Sequence, residues 1–211
     1  MSVALLNEWK QVEISDELEA FFHVIVYCAV RYLWSNLSNS KVAVFINEYF
    51  DIFRVYDGRL CCGWRKEKSL LYNSLKAEVD TSITFRSPMD GVLQVLLSWF
   101  HGKFTVQRHE LILKNLRESR PPTPASSARP AVRFRPMHRL HGRRRLDPEA
   151  PPLSLPDETP RALRTTPTEQ QREAARLVET HDAILEVLDG AMTIPWPAND
   201  KVGDRLCQES P

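Results

Sequence analysis

The sequence predicts a mainly α-helical protein, a helical bundle around one buried central helix, with a small hairpin and a long disordered linker. Residues 16–34 form a long apolar segment, and several later segments carry apolar residues at helical spacing. Eleven of the 15 prolines lie between Glu118 and Pro167, and proline interrupts regular structure. The predicted organisation is therefore a helical region, a linker and a C-terminal helix with a closing segment, at residues 1–117, 118–167 and 168–206.

The predicted central helix reads D-E-L-E-A-F-F-H-V-I-V-Y-C-A-V-R-Y-L-W. After its acidic first turn it is apolar on nearly every face, and such a helix is expected to be surrounded by protein. Ser15 or Asp16 can cap its free N–H groups, and Glu17 complements the helix dipole. A membrane span needs about 20 apolar residues. Since His23 and Arg31 interrupt the apolar run, we expect no membrane span.

A second helix is predicted over residues 42–53, followed by a hairpin over residues 54–63. The pair Asp57-Gly58 supplies the positive φ angles of a tight turn between the two strands. The helix should be packed in the core through one apolar face, formed by Val42, Phe45, Ile46, Tyr49, Phe50 and Phe53.

Three more helical segments are predicted before the linker. The first covers residues 66–79, and the second starts with Ser87 as N-cap and Pro88 at its first position and ends at Gly102. The third covers residues 107–117.

The linker contains few large apolar residues and is expected to be disordered, because it cannot bury enough surface to offset its ordering entropy. After it, Thr168 and Gln171 form a predicted capping box, and one amphipathic helix is expected to run to Gly190. We expect this helix to pack back on residues 1–117. Its apolar face consists of Ala174, Ala175, Leu177, Val178, Ile184, Leu185, Val187 and Leu188.

Charge is distributed unevenly along the chain. The net charge is +1 for residues 1–117, +7 for residues 118–145 and −7 for residues 146–211. The basic stretch could act as a nuclear address or contact nucleic-acid phosphates, or it could be a solvated linker neutralised by the acidic tail. The second interpretation is favoured, and nucleic acid is not the expected partner. The arginines of the stretch are Arg129, Arg133, Arg135, Arg139, Arg143, Arg144 and Arg145.

The four cysteines show neither a C-x-x-C pair nor the spacing of a disulfide framework, which favours a reducing, intracellular location in the cytoplasm or the nucleus. The apolar cluster at residues 3–6 is too short for a signal peptide. His138 and His141 have no carboxylate or thiol companions, so no metal site is predicted.

The motifs of phosphoryl transfer do not occur in the sequence. The seven glycines form no phosphate-binding loop, and there is no V-A-I-K lysine, H-R-D-x-x-x-x-N loop or D-F-G motif. These parts position and stabilise the transferred phosphoryl group. The chain by itself is therefore predicted to be catalytically inactive and to use no cofactor.

Several segments nevertheless resemble the C-terminal lobe of fungal-type protein kinases. The segment S-D-E-L-E-A-F-F-H-V-I-V-Y at residues 15–27 resembles the long central helix of that lobe, and M-S-V-A-L-L at residues 1–6 looks like the stretch just after the activation segment. The segments L-V-E-T-H-D-A-I-L-E-V-L and W-P-A-N-D-K-V-G-D-R-L, at residues 177–188 and 196–206, resemble the last helix and closing motif. The order of these blocks also agrees with the family.

The resemblance implies that full-length relatives phosphorylate protein Ser or Thr with ATP and magnesium, and that the catalytic segments lie upstream of Met1. In kinases an aspartate at the start of the central helix hydrogen-bonds the backbone of the catalytic loop. Alignment on L-E-A-F-F places Glu17 at that position, with Asp16 one residue earlier.

Three hypotheses follow from the sequence. The chain is a kinase-lobe portion without activity of its own, a non-catalytic interaction module, or an unfolded pseudogene product. In the second, the lobe face that is normally covered binds a protein partner and the basic linker sets location.

Overall fold

The computed structural model describes residues 2–3, 11–56, 59–78, 81–118 and 166–207, and within them the protein is mainly α-helical, which confirms this part of the predicted fold class. Residues 119–165 of the long linker, the Asp57-Gly58 turn and the seven arginines of the basic stretch lie outside the described residues. In chain order the elements are α1 (Ile14–Tyr32), α2 (Asn39–Ile46), a π-helical turn (Asn47–Asp51), β1 (Arg54–Tyr56), β2 (Arg59–Cys61), α3 (Trp64–Tyr72), α4 (Met89–Glu118), α5 (Glu169–Arg176) and α6 (Asp182–Thr193).

Helix α1 begins two residues earlier than predicted because Glu13 is its N-cap. The Glu13 N–H donates a 2.8 Å hydrogen bond to Oδ2 of Asp16, which completes a capping box. One side of α1 packs into the core, where the rings of Phe22 and Phe100 from α4 lie 5.3 Å apart. On the opposite side Phe21 and Val24 are exposed, so the prediction that protein surrounds the whole helix is wrong for this side. The fully buried apolar side chains of α1 are Phe22, Val26 and Val30.

The predicted helix over residues 42–53 divides into α2 and the π-helical turn. The Ile52 N–H bonds the Asn47 carbonyl at 3.0 Å, a spacing of five residues. A π-helical turn holds more residues than an α-helical one and shifts the face that the next residue presents. Tyr49 is buried as predicted, whereas Phe53 is 61% exposed and its predicted core position is wrong. Strands β1 and β2 then pair antiparallel, which confirms the hairpin.

Helix α3 ends at Tyr72, earlier than predicted, because Asn73 adopts the left-handed conformation with φ of 50°. Asparagine tolerates this conformation, which terminates helices. The next helix, α4, starts at Met89, one residue later than predicted. There the Phe85 N–H donates a 3.0 Å hydrogen bond to Oδ1 of Asp90.

Helix α4 continues without a break through Gly102 for 30 residues, so the prediction of two helices separated at this glycine is wrong. Gly102 instead allows α5 to pack closely. A Cβ atom at this position would lie 2.6 Å from the Gln171 carbonyl oxygen and 2.8 Å from the Ala174 Cβ. The absence of a side chain is therefore a packing requirement rather than a helix stop.

The C-terminal segment forms two helices rather than the single one predicted. The capping box is present, with the Gln171 N–H donating to Thr168 Oγ1 at 3.2 Å. The chain then turns at residues 177–181, and α6 passes through Gly190 to Thr193. The break changes the face that the second helix presents to the core. Ile184 is 2% exposed, whereas Leu185 is 54% exposed and does not belong to the packed face.

The closing segment packs against the end of α1. The Trp34 N–H donates to the Asp200 carbonyl at 2.7 Å, and the Val202 N–H donates to the Tyr32 carbonyl at 2.9 Å. Together with the packing of α5 on α4, these bonds hold residues 166–207 against the helices that precede the linker.

Candidate interaction site on helix α1

The first turn of α1 holds a buried carboxylate. Asp16 is 3% exposed, and its Oδ1 accepts a 2.8 Å hydrogen bond from Ser2 Oγ. Its Oδ2 accepts from the Glu13 backbone, so the carboxylate joins the segment before the helix to the helix itself. Glu17 is exposed. Of the two residues that the sequence suggested as an anchor, Asp16 is the one whose carboxylate contacts backbone outside the helix.

A buried chain of polar side chains continues from this end of α1. The Val3 N–H donates to Glu19 Oε1 at 2.7 Å, and that oxygen lies 3.3 Å from His23 Nε2. His23 Nδ1 lies 3.1 Å from the Tyr49 hydroxyl, which lies 3.2 Å from Ser69 Oγ. Ser69 in turn donates to a carbonyl of its own helix, α3. The polar chain formed by these side chains thus connects residue 3, α1, the π-helical turn and α3.

Burial sets the protonation states of the side chains in and beside this polar chain. Desolvation lowers the pKa of His23 below its ordinary value, although the hydrogen bond to Glu19 acts in the opposite direction. Burial also raises the pKa of Tyr49, and it raises that of the neighbouring Cys62 thiol to about 12. A phenol and a thiol that stay protonated are poor nucleophiles. The polar chain is suited to holding residue 3, α1, the π-helical turn and α3 together.

The outer side of α1 carries an exposed apolar stripe, formed by Phe21, Val24 and Cys28. Phe21 is 47% exposed, Val24 is 55% exposed, and the Cys28 thiol is also exposed. Their spacing of three and four residues places them on one face of the helix. Exposed apolar side chains in a row on one face of a helix form a surface suited to contact with protein.

The closing segment fixes the far end of α1. Arg31 Nε donates to Asp204 Oδ1 at 2.7 Å, and this ion pair lowers the pKa of the Asp204 carboxyl. Arg205 is buried and donates to Ser35 Oγ at 2.7 Å and to the Leu37 carbonyl. Both ends of the exposed stripe are therefore held by hydrogen bonds to other segments.

In the part of the chain that the structure describes, no group of three or more His, Cys, Asp or Glu side chains is arranged to hold a metal ion. Within the same residues, no helix combines the length and apolar character of a membrane span. The four cysteines are present as thiols.

Comparison of the chain with protein-family models, with curated proteins and with solved structures found no match.

Sequence reasoning suggested Asp16 or Glu17 as an anchor and predicted the central helix, but it did not find the exposed stripe. Apolar residues occupy nearly all faces of α1, so no periodicity separates Phe21 and Val24 from the buried Phe22 and Val26. The polar chain from Glu19 to Ser69 was also missed as a unit, because its members come from three separate elements and no local spacing connects them.

Proposed function

We propose that this chain is the C-terminal portion of a fungal-type protein kinase and that it transfers no phosphate by itself. The full-length family role would be ATP-dependent phosphorylation of protein Ser or Thr. In this proposal the exposed stripe of α1 is where the catalytic half of the kinase packs. The location would be intracellular, cytoplasmic or nuclear.

The observation that carries the proposal is the combination of a buried Asp16 at the start of α1 with an apolar stripe left open along the same helix. The kinase resemblance requires a carboxylate at that end of a central helix and a catalytic segment covering one side. The stripe supplies an apolar surface for such a segment. The segment that resembles the closing motif packs against the end of the same helix, where the Val202 N–H donates to the Tyr32 carbonyl.

Co-expression with the N-terminal part of a fungal-type kinase, ending at its activation segment, tests the proposal. The two parts should co-purify, and Val24→Asp should abolish co-purification because it places a charge in the apolar contact. Val44→Asp on α2 is the matched control, since Val44 is 54% exposed and Val24 is 55% exposed. Failure of the unmodified parts to co-purify, or equal loss with both variants, would contradict the proposal.

Activity is tested separately. Calorimetric titration of the chain with magnesium-ATP should show no binding at micromolar nucleotide, because the motifs that hold the phosphates are not in the sequence. The co-purified complex should phosphorylate a general protein substrate. Micromolar binding of magnesium-ATP by the chain alone would contradict the assignment of catalysis to the other half.

A non-catalytic interaction module is the second candidate, and the same stripe favours it because any protein partner with an apolar surface could pack there. The kinase portion and the interaction module differ in whether the co-purified complex has kinase activity. Co-purification of a complex that forms through Val24 but has no kinase activity would favour the interaction module.

A further inference from the structure

A pocket of about 270 Å³ lies beside α3, away from the exposed stripe of α1. The buried side chains of Tyr49 and Ser69 line it, and their hydroxyl oxygens lie 3.2 Å apart. Two further aromatic rings line it and are accessible, since Trp64 is 37% exposed and Tyr72 is 52% exposed. The pocket therefore offers flat apolar surfaces next to polar groups.

Positive charge predominates among the lining residues, where Arg65, Lys68 and Lys76 are the cations and Glu78 is the carboxylate. Glu78 is paired with Lys41 at 3.1 Å. The Lys68 ammonium lies 4.4 Å from the centre of the Trp64 ring, and among the described residues no carboxylate forms an ion pair with it. Lys68 thus places a positive charge directly beside an accessible aromatic ring.

Arg65 holds a fixed position in the pocket wall. Its guanidinium pairs with Glu48 and donates to the carbonyls of Lys76 and Ala77 at 2.9 and 2.8 Å. Its Nε is buried and has no hydrogen-bond partner among the described residues. Since this Nε is buried and the other guanidinium nitrogens are engaged, Arg65 shapes the wall of the pocket, and Lys68 is an accessible cation.

We propose that this pocket binds a single aromatic ring that carries a phosphate group. The Lys68 ammonium donates hydrogen bonds to the phosphate oxygens, and the ring packs on Trp64 or Tyr72. The volume is slightly below the range of about 300–1,000 Å³ that is common for ligand clefts, which favours one ring over a nucleotide. A phosphotyrosine side chain and a free aryl phosphate share this chemistry.

Titration calorimetry with phenyl phosphate tests the proposal, with inorganic phosphate and phenol as probes of each half alone. Phenyl phosphate should bind about tenfold more tightly than either. Lys68→Gln should weaken its binding by about fivefold or more. Lys114→Gln, an exposed lysine on α4 outside this pocket, is the matched control and should leave binding unchanged.

Two further titrations, with O-phospho-L-tyrosine and with AMP, distinguish the possible sources of the ligand. O-phospho-L-tyrosine should bind at least as tightly as phenyl phosphate, and AMP should bind more weakly than both. Tighter binding of AMP, or equal binding of inorganic phosphate and phenyl phosphate, would overturn the single-ring assignment. Equal loss of affinity in Lys68→Gln and Lys114→Gln would overturn the assignment to this pocket. None of these outcomes depends on the kinase proposal.

Discussion

The Nδ1 atom of buried His23 lies 3.1 Å from the hydroxyl oxygen of Tyr49, which is 26 residues farther along the chain. This contact joins α1 to the π-helical turn, and the Tyr49 hydroxyl continues the connection to Ser69 on α3. A buried polar chain of this kind stabilises the fold only while each member keeps its partner.

Stability should fall as the pH drops below the ordinary histidine pKa of 6.5. Burial lowers the pKa of His23 in the folded state, so the unfolded chain binds the proton more readily and acid favours unfolding. The contribution is fully present above pH 6.5 and is lost as the pH falls toward the folded pKa. Urea midpoints at about pH 7.5 and 5.5 measure it.

The control for this prediction is His23→Gln, which retains hydrogen-bonding groups but does not titrate. The difference between the two urea midpoints should be smaller in this variant than in the unmodified protein. The prediction fails if both proteins lose the same stability over this pH interval.

Removal of the Tyr49 hydroxyl should destabilise the protein by about 1–3 kcal/mol, because Tyr49→Phe leaves the buried His23 Nδ1 without this partner. Tyr72→Phe is the matched control, since Tyr72 is 52% exposed and Tyr49 is 1% exposed. Free energies of unfolding from urea titration should differ from the unmodified protein for Tyr49→Phe alone. Equal effects of the two substitutions would show that the hydroxyl has no special role.

Gly102→Ala should destabilise the contact between α4 and α5 by about 1–3 kcal/mol, since the added Cβ would overlap the Gln171 carbonyl oxygen. Gly91→Ala lies in the same helix and has no atom within 4 Å of the added Cβ. The second substitution should stabilise the protein by about 0.5–1 kcal/mol through lower chain entropy in the unfolded state. Opposite signs in the measured free energies of unfolding are the expected result, and a destabilisation by both would contradict it.

Ile184→Asp should detach α6 from the core. The substitution buries an unpaired charge at a position that is 2% exposed, and we expect a loss of about 3 kcal/mol or more. Leu185→Asp changes the next residue of the same helix, which is 54% exposed, and should leave stability nearly unchanged. Limited proteolysis of residues 182–193 measures the detachment, and similar cleavage of the two variants would refute the assigned packing face.

The sequence predicted local elements best where residues within one helical turn determine the backbone conformation. The capping box of Thr168 and Gln171 was confirmed, because its hydrogen bonds form within one turn. Gly102 was misinterpreted as a helix end, since the reason for a glycine there is a neighbour 69 residues away. For the candidate site, the kinase resemblance suggested both Asp16 and Glu17, and the structure shows which of the two is buried. The exposed stripe depends on which elements pack against α1.

The sequence by itself determined that the chain forms helices, that a long proline-rich stretch separates two groups of them, and that motifs for phosphoryl transfer do not occur. These properties depend on composition and on spacings of a few residues. The tertiary structure decided which side of α1 is buried, why α4 continues through Gly102, and how Glu19, His23, Tyr49 and Ser69 meet. Burial and hydrogen bonding between distant segments depend on how the helices pack, and local periodicity carries no information about that packing.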